Sequence, residues 1–409
     1  MGEYITHIFP NKLRFVANYI ISSSVDYFGI AVNAGSSNED NDESGLAHFV
    51  EHCLFKGTQK HKASYILNRV ECIGGELNAY TNKEETVIYT ITPAGNLIRC
   101  MNLIADILIN STFPQQELEK EKSVIIEEID SYLDSPAEAI FDEVEALLYR
   151  GTPFAHNILG EKETVNSFTT SDCLNWTNNN FTPENCVLFY SGNTNPDMVI
   201  KIAEKIFSWG ETIKRKNITN NSFQSNYRFD MVRSGNNYHQ SHVAFAFLLP
   251  PIDNPLQTEI LLLNNILGGP ALNSLLNVML REKRGLVYQV DSTVTFYTIA
   301  GNFVIYYGCD HNDEKKCRDI VLRTIDKLST KNVTQSELDK FKKQYIGQLT
   351  IAKENREQNI MSAARSILIR DYVLTYRELV DRINRITPLS LLEAAQYISP
   401  DKSNILVLN

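Results

Sequence analysis

A chain of 409 residues with 43% hydrophobic and 10% aromatic content exceeds the usual size of one hydrophobic core, so two or more globular domains are expected. A formal net charge of -10, with no basic face visible, argues against nucleic acid as a partner and makes basic peptides the better attraction. No apolar run reaches membrane length, and the opening "MGEYITHIFPNK" lacks the basic-then-apolar order of a signal peptide; a cytoplasmic chain that starts here and makes no membrane contact is expected.

Taken in chain order, "VDYFGIAVNAG" reads as a strand, Ser44 as a helix N-cap, and residues 45 to 56 as a helix ending near Gly57. That helix carries "SGLAHFVEHCLFKGT". His48 and His52 are one turn apart and point the same way within about 40°, which lets two imidazoles share one metal ion. Glu51 lies about 60° from His48 on the other side, within reach of a water at the metal without being a ligand. H-x-x-E-H is the reverse of H-E-x-x-H, and its mechanical meaning is zinc hydrolysis. Next comes "GGELNAYTNKEETVIYT" (74 to 90), which by itself is a hairpin with a polar tip.

A catalytic zinc usually takes a third protein ligand and keeps one open position. The best source is "PQQELEKEKSVIIEEIDSYLD" (114 to 134), a helix opened by Pro114. With Glu121 as zero on the wheel, Ile125 falls near 40°, Glu128 near -20° and Tyr132 near 20°, with Leu118, Val124 and Ile129 within about 80°. Glu121 and Glu128 are thus expected inside the apolar stripe, whereas Glu127, near -120°, faces solvent. Two readings stay open for these acids. Either they serve a cation at a metal site, which offsets their burial, or they pair with lysines at the edge of the stripe. "GTPFAHNILGEKETV" (151 to 165) reads as structural, and His156 is not expected to be a ligand.

The chain also repeats itself. "TSDCLNWTNNNFTPENCVLFYSG" (170 to 192) runs parallel to "TPLSLLEAAQYISPDKSNILVLN" (387 to 409), and "YFGIAVNAGSS" has a counterpart in "HVAFAFLLPP". The fold class expected is α+β: two homologous domains, each a mixed β-sheet with helices packed on one face. Their bounds are placed at 1–215 and 226–409, joined by the polar, Asn-rich stretch 211 to 229. The second copy lacks the metal set, since neither a His nor an acid occurs from Ile260 to Leu280. It carries "LREKRGLVYQV" instead, in which Arg281 alone would be a surface charge and Tyr288 a strand aromatic. The seven cysteines, odd in number and without CxxC spacing, read as reduced core residues.

Over nearly its whole length the chain resembles the inverted-motif zinc peptidases that include pitrilysin, insulysin and mitochondrial processing peptidase. "GLAHFVEHCLFKGT" is similar to that family's metal helix and "EKSVIIEEI" to its second helix, 76 residues from His52 to Glu128. The resemblance implies one Zn2+ per chain held by His48, His52 and Glu128, with Glu51 as general base and Glu121 as a supporting acid. It implies an edge strand at residues 74 to 90 that holds substrate through the backbone of Asn78 and Ala79, and an Arg281/Tyr288 pair brought to an active site by a partner half. It further implies half of a hollow clamshell, a homodimer or a heterodimer with a related chain, that encloses and cleaves unfolded peptides. The rival reading is a noncatalytic peptide-binding or assembly subunit of the same fold.

Overall fold

The computed structural model describes residues 4–209, 231–234 and 238–409; the expected linker at 211 to 229 and the domain boundary within it lie outside the described residues. The first half of the chain supplies β1 (Ile5–Ile8), β2 (Arg14–Tyr19), β3 (Val25–Val32), β4 (Glu76–Thr81), β5 (Thr86–Pro93) and β6 (Cys186–Gly192), in the spatial order β1-β2-β6-β3-β5-β4. The second half supplies β7 (Met231–Ser234), β8 (Ser241–Leu249), β9 (Val287–Phe296), β10 (Gly301–Cys309) and β11 (Asn404–Leu408), in the order β7-β11-β8-β10-β9. With β1 set aside the two orders match strand for strand. Each sheet has a single parallel pair, β2 with β6 and β7 with β11, and the other pairs are antiparallel. The internal repeat of the sequence is therefore a repeat of topology.

The helices of the first half are α1 (Leu46–Cys53), α2 (Ala63–Glu71), α3 (Leu97–Asn110), α4 (Gln115–Leu133), α5 (Pro136–Leu148), α6 (Lys162–Ser167), α7 (Thr170–Asn180) and α8 (Pro196–Ile206). Those of the second are α9 (Gln257–Gly268), α10 (Glu314–Thr330), α11 (Gln335–Ala352), α12 (Arg356–Arg370), α13 (Tyr376–Arg385) and α14 (Pro388–Ala395). No helix of the described residues is long and apolar enough to cross a membrane.

Strand alternation sends successive side chains to opposite faces, and both faces are apolar. Along β6, Cys186, Leu188 and Tyr190 join a core with α1, α3, α4, α7 and α8, while Val187 and Phe189 point the other way, onto α12. Along β8, Val243, Phe245 and Phe247 meet α9, α10 and α14, while Ala244 and Ala246 leave room for α5 on the opposite face. The helix layer expected on one face of each sheet is present, and a single helix covers the other. That helix comes from the other half of the sequence. The first compact unit takes the chain through Asp130, resumes at His156, and adds Lys353–Thr375 with α12; the second takes Ser131–Ala155 with α5, continues through Ala352 and ends with Tyr376–Asn409.

The segment that follows α1 is clamped to α3. Asp106 is buried on α3 and accepts from Thr58 Oγ1 at 2.7 Å and Asn110 Nδ2 at 2.8 Å, with His61 Nδ1 at 2.9 Å. Burial pushes the Asp106 carboxyl up, but the bonds from His61, Thr58 and Asn110 outweigh it and hold the group below its ordinary value. A carboxyl depressed in the folded state stabilises the fold above roughly pH 4 and loses that contribution as pH falls through its folded value. Asp106→Asn is expected to cost about 1–3 kcal/mol at neutral pH and to flatten the acid limb of a plot of melting temperature against pH. Parallel acid limbs for the two proteins would show that Asp106 carries none of the acid sensitivity.

Candidate metal centre

Helix α1 starts from an unusual backbone. Gly45 sits at φ 91°, and a Cβ there would lie 2.7 Å from the Cα of Gly160, itself at φ 76°. Two glycines thus cross back to back where no side chain fits. The Ser44 N-cap is corrected by the structure: the cap position is Gly45, no side chain of its own caps the helix, and the Glu39 carboxylate does so instead. Glu39 accepts from the Gly45 N–H at 3.0 Å and the Ala47 N–H at 2.9 Å. Ser44 is used differently, its carbonyl accepting from Thr164 Oγ1 at 2.6 Å. Burial pushes the Glu39 carboxyl up to about 8, against the pull of those two backbone bonds.

The first turn of α1 carries His48, buried, and the next carries His52, half-buried, with ring centroids 4.5 Å apart. Helix α4 begins directly after Pro114 and plants Leu118, Ile125 and Ile129 in the core. Glu121 is buried on the same side, but Glu128 is not: its side chain is 44% exposed, and Val124 is exposed as well. The expectation that both acids lie inside the apolar stripe is corrected for Glu128: it lies at the rim of that stripe, open to solvent although its neighbour Ile129 is packed in the core. His52 lies between the two carboxylates, with Nδ1 3.3 Å from Glu121 Oε2 and Nε2 3.6 Å from Glu128 Oε2. Of the two readings left open for Glu121, the lysine pairing is the one observed, with Lys56 Nζ 2.6 Å from its Oε1.

His48, His52 and Glu128 each offer one ligand atom, and these lie within 4.8 Å of one another. The residues fit a metal. His48 Nδ1 is buried without a hydrogen-bond partner, and burial, helped by His52, drives the ring down to about 3, so it is a neutral imidazole. Two imidazole nitrogens and one carboxylate oxygen form a donor set suited to zinc with an open position, and the exposed side of Glu128 gives access.

Glu51, on the same helix, has its carboxyl raised by burial; a hydrogen bond from the Thr81 side chain and the charge of His52 act against that rise, and Glu128 adds to it. Thr81 is a site residue that the sequence reading missed. Its signal was there, for Thr81 is two positions after Ala79 and so on the same face of β4. Asn78 and Ala79 lie on β4, which among the described residues pairs only with β5, through Asn78↔Tyr89 and Ala79↔Ile88, and ends the sheet order. At the hairpin tip Lys83 is buried and donates to the His156 carbonyl, and His156 is outside the ligand group.

Arg281 and Tyr288 belong to the second unit. Arg281 lies in a π-helical turn, Asn277–Glu282, with its guanidinium carbon 5.8 Å from the centroid of the Tyr288 ring, and Tyr288 is 88% exposed on the edge strand β9. Where α1 carries His48 and His52, α9 buries Ile260, Leu262, Leu263, Ile266 and Leu267.

Residues 16–162 match the family described as insulinase, peptidase family M16, and residues 167–345 match the M16 inactive domain. A zinc protease of Rickettsia felis is 30% identical over 347 residues, covering 84% of this chain and 81% of its relative. The chain belongs to peptidase family M16. A zinc protease of Bacillus subtilis is 28% identical over 358 residues, 88% of this chain and 86% of the relative; both relatives carry the description uncharacterized. In fold, a protease from Helicobacter pylori superposes with a TM-score of 0.90 over 100% of both chains at 22% identity. For this M16 chain the phase of α4 makes a sharp prediction. Glu128→Gln is expected to lower zinc content by roughly tenfold or more, whereas Glu127→Gln, one position round the helix and exposed, retains it. Equal zinc loss in both variants, read by atomic emission after dialysis, would exclude Glu128 as a ligand.

Proposed function

We propose that this chain is a zinc metalloendopeptidase that hydrolyses unfolded peptides. One observation carries the reading: three ligand atoms of His48, His52 and Glu128 lie within 4.8 Å, with Glu51 on the same helix. His48, His52 and Glu128 would hold one zinc per chain, and the chemistry supplied by bound zinc is Lewis-acid activation of a water and of the scissile carbonyl. Glu51 takes the proton of the attacking water on its carboxylate and returns it to the leaving amine nitrogen. The outer edge of β4 takes the substrate as an added strand, with the backbone of Asn78 and Ala79 pairing to it. Arg281 clamps a substrate carbonyl, and the Tyr288 hydroxyl donates to the oxyanion. A cytoplasmic location goes with this reading and is supported by seven free cysteines, six of them buried. The second reading, a noncatalytic peptide-binding or assembly subunit, draws on the match of residues 167–345 to an inactive domain.

The two readings part at Glu51. Glu51→Gln is expected to bind zinc as the parent does and to cleave a quenched peptide mixture at least about a hundredfold more slowly, because the amide keeps the shape but cannot accept the proton. A variant that cleaves at the parental rate would remove Glu51 as the base, and a zinc-loaded parent that binds peptides without cutting them would favour the second reading.

The proposal includes a homodimer in which each site takes its zinc from one protomer and Arg281 and Tyr288 from its partner. Co-expression of Glu51→Gln with a chain bearing Arg281→Ala and Tyr288→Phe, each inactive alone, rebuilds one complete site in the mixed dimer. Activity recovered on mixing is the expected outcome. If verified mixed dimers are no more active than the separate variants, the shared site is excluded.

A further inference from the structure

The charge on the faces of α1 and α4 does not stop at the metal ligands. His48 and His52 are followed by Lys56, again four positions on, in the turn where Lys56 N–H donates to the Cys53 carbonyl at 3.1 Å. Facing them on α4 are Glu128 and Glu121, seven positions apart. Carboxylates and nitrogen groups alternate along the contact: Glu128, then His52, then Glu121, then Lys56. Distances close the chain, at 3.6 Å from Glu128 to His52, 3.3 Å from His52 to Glu121 and 2.6 Å from Glu121 to Lys56. The shortest link is the last. A charge-assisted N–H···O contact of that length fixes a carboxylate more firmly than a contact at 3.3 Å does, so the orientation of Glu121 is set from the Lys56 side. Glu121 is only 11% exposed in its side chain, and without Lys56 it would be a carboxylate withdrawn from water with one weak partner. Both of its oxygens are engaged, Oε1 by Lys56 and Oε2 by His52, which withholds it from the ligand group.

We propose that Lys56 is a positioning residue for the metal ligand His52, acting through Glu121. By holding Oε1 of Glu121, Lys56 turns Oε2 onto His52 Nδ1, and this leaves Nε2 of the same ring aimed at the Glu128 side. A histidine ligand needs its second nitrogen fixed if its first is to point at a metal. The proposal rests on the metal-binding reading above and concerns how the site is held, not whether it cleaves.

The test is zinc affinity of the full chain by competition with a chromophoric chelator, together with the visible spectrum of the Co2+-loaded protein. Lys56→Met keeps the apolar stem and removes the cation; roughly tenfold or greater loss of zinc affinity and an altered Co2+ spectrum are expected, with Lys56→Arg within about threefold of the parent. Lys56→Gln, which retains a hydrogen-bond donor without the charge, serves if the Met variant does not fold. The decisive comparison is made in Glu121→Gln, where adding Lys56→Met should cost nothing more. A Lys56→Met protein that binds zinc like the parent overturns the proposal, and so does an equal loss in the presence and absence of the Glu121 carboxylate, which would mark Lys56 as a general packing residue. A parent chain that takes up no zinc sinks the metal-binding reading itself, an outcome distinct from either.

Discussion

The site depends on one arrangement, His52 of α1 held between Glu121 and Glu128 of α4, two carboxylates two helical turns apart. The rest of the first unit can be described as what keeps those two helices in place. The start of α1 is fixed by the Gly45 and Gly160 backbones and by Glu39, and its far end by Thr58, His61 and the Asp106 clamp on α3. Leu118, Ile125 and Ile129 anchor α4 from below, in the same core as Leu46, Phe49 and Val50 of α1. Because the apolar faces are packed, the polar faces have one register available to them. A shift of α4 by one residue would turn its facing side chains by about 100° and take Glu128 away from the histidines.

Such a register places several ionisable groups out of water, and each is compensated locally. Glu39 has two backbone N–H donors at the helix start, Asp106 has Thr58, His61 and Asn110, and Glu121 has Lys56 and His52. His48 is the contrasting case, a buried imidazole nitrogen with no protein partner. Among these groups Glu128 is the exposed one.

The duplicated topology separates scaffold from chemistry. Both copies keep the strand order, the single parallel pair and the helix following the β3 or β8 strand, yet α1 presents histidines where α9 presents core leucines and isoleucines. The fold therefore tolerates either a polar or an apolar helix at that position, provided the sheet face beneath it is covered. Covering the opposite face takes a helix from the other half of the chain in both units, α12 over the first sheet and α5 over the second. Folding of one unit thus needs residues that are far away in sequence, as in the Arg14–Asp371 ion pair at 2.9 Å.

What was legible in the sequence was periodic. The 3.6-residue repeat placed His48, Glu51 and His52 on one helix and chose Glu128 over Glu127 as the acid facing that helix, and the 217-residue offset between similar segments anticipated two copies of one mixed sheet. Even Lys56 had a trace, the third member of a series spaced by four. Other features have no periodic signature. That Glu39 rather than Ser44 caps α1, that Thr81 reaches Glu51, and that α5 and α12 each serve the sheet of the other half depend on contacts between segments well separated along the chain. An amphipathic pattern tells which face of a helix will be buried but not against which partner, because burial of apolar area is non-directional. The residue types and their phase on each helix were set by the sequence alone; which helix met which sheet, and so which carboxylate met which lysine, was decided only when the packed chain left one arrangement with its buried charges paired.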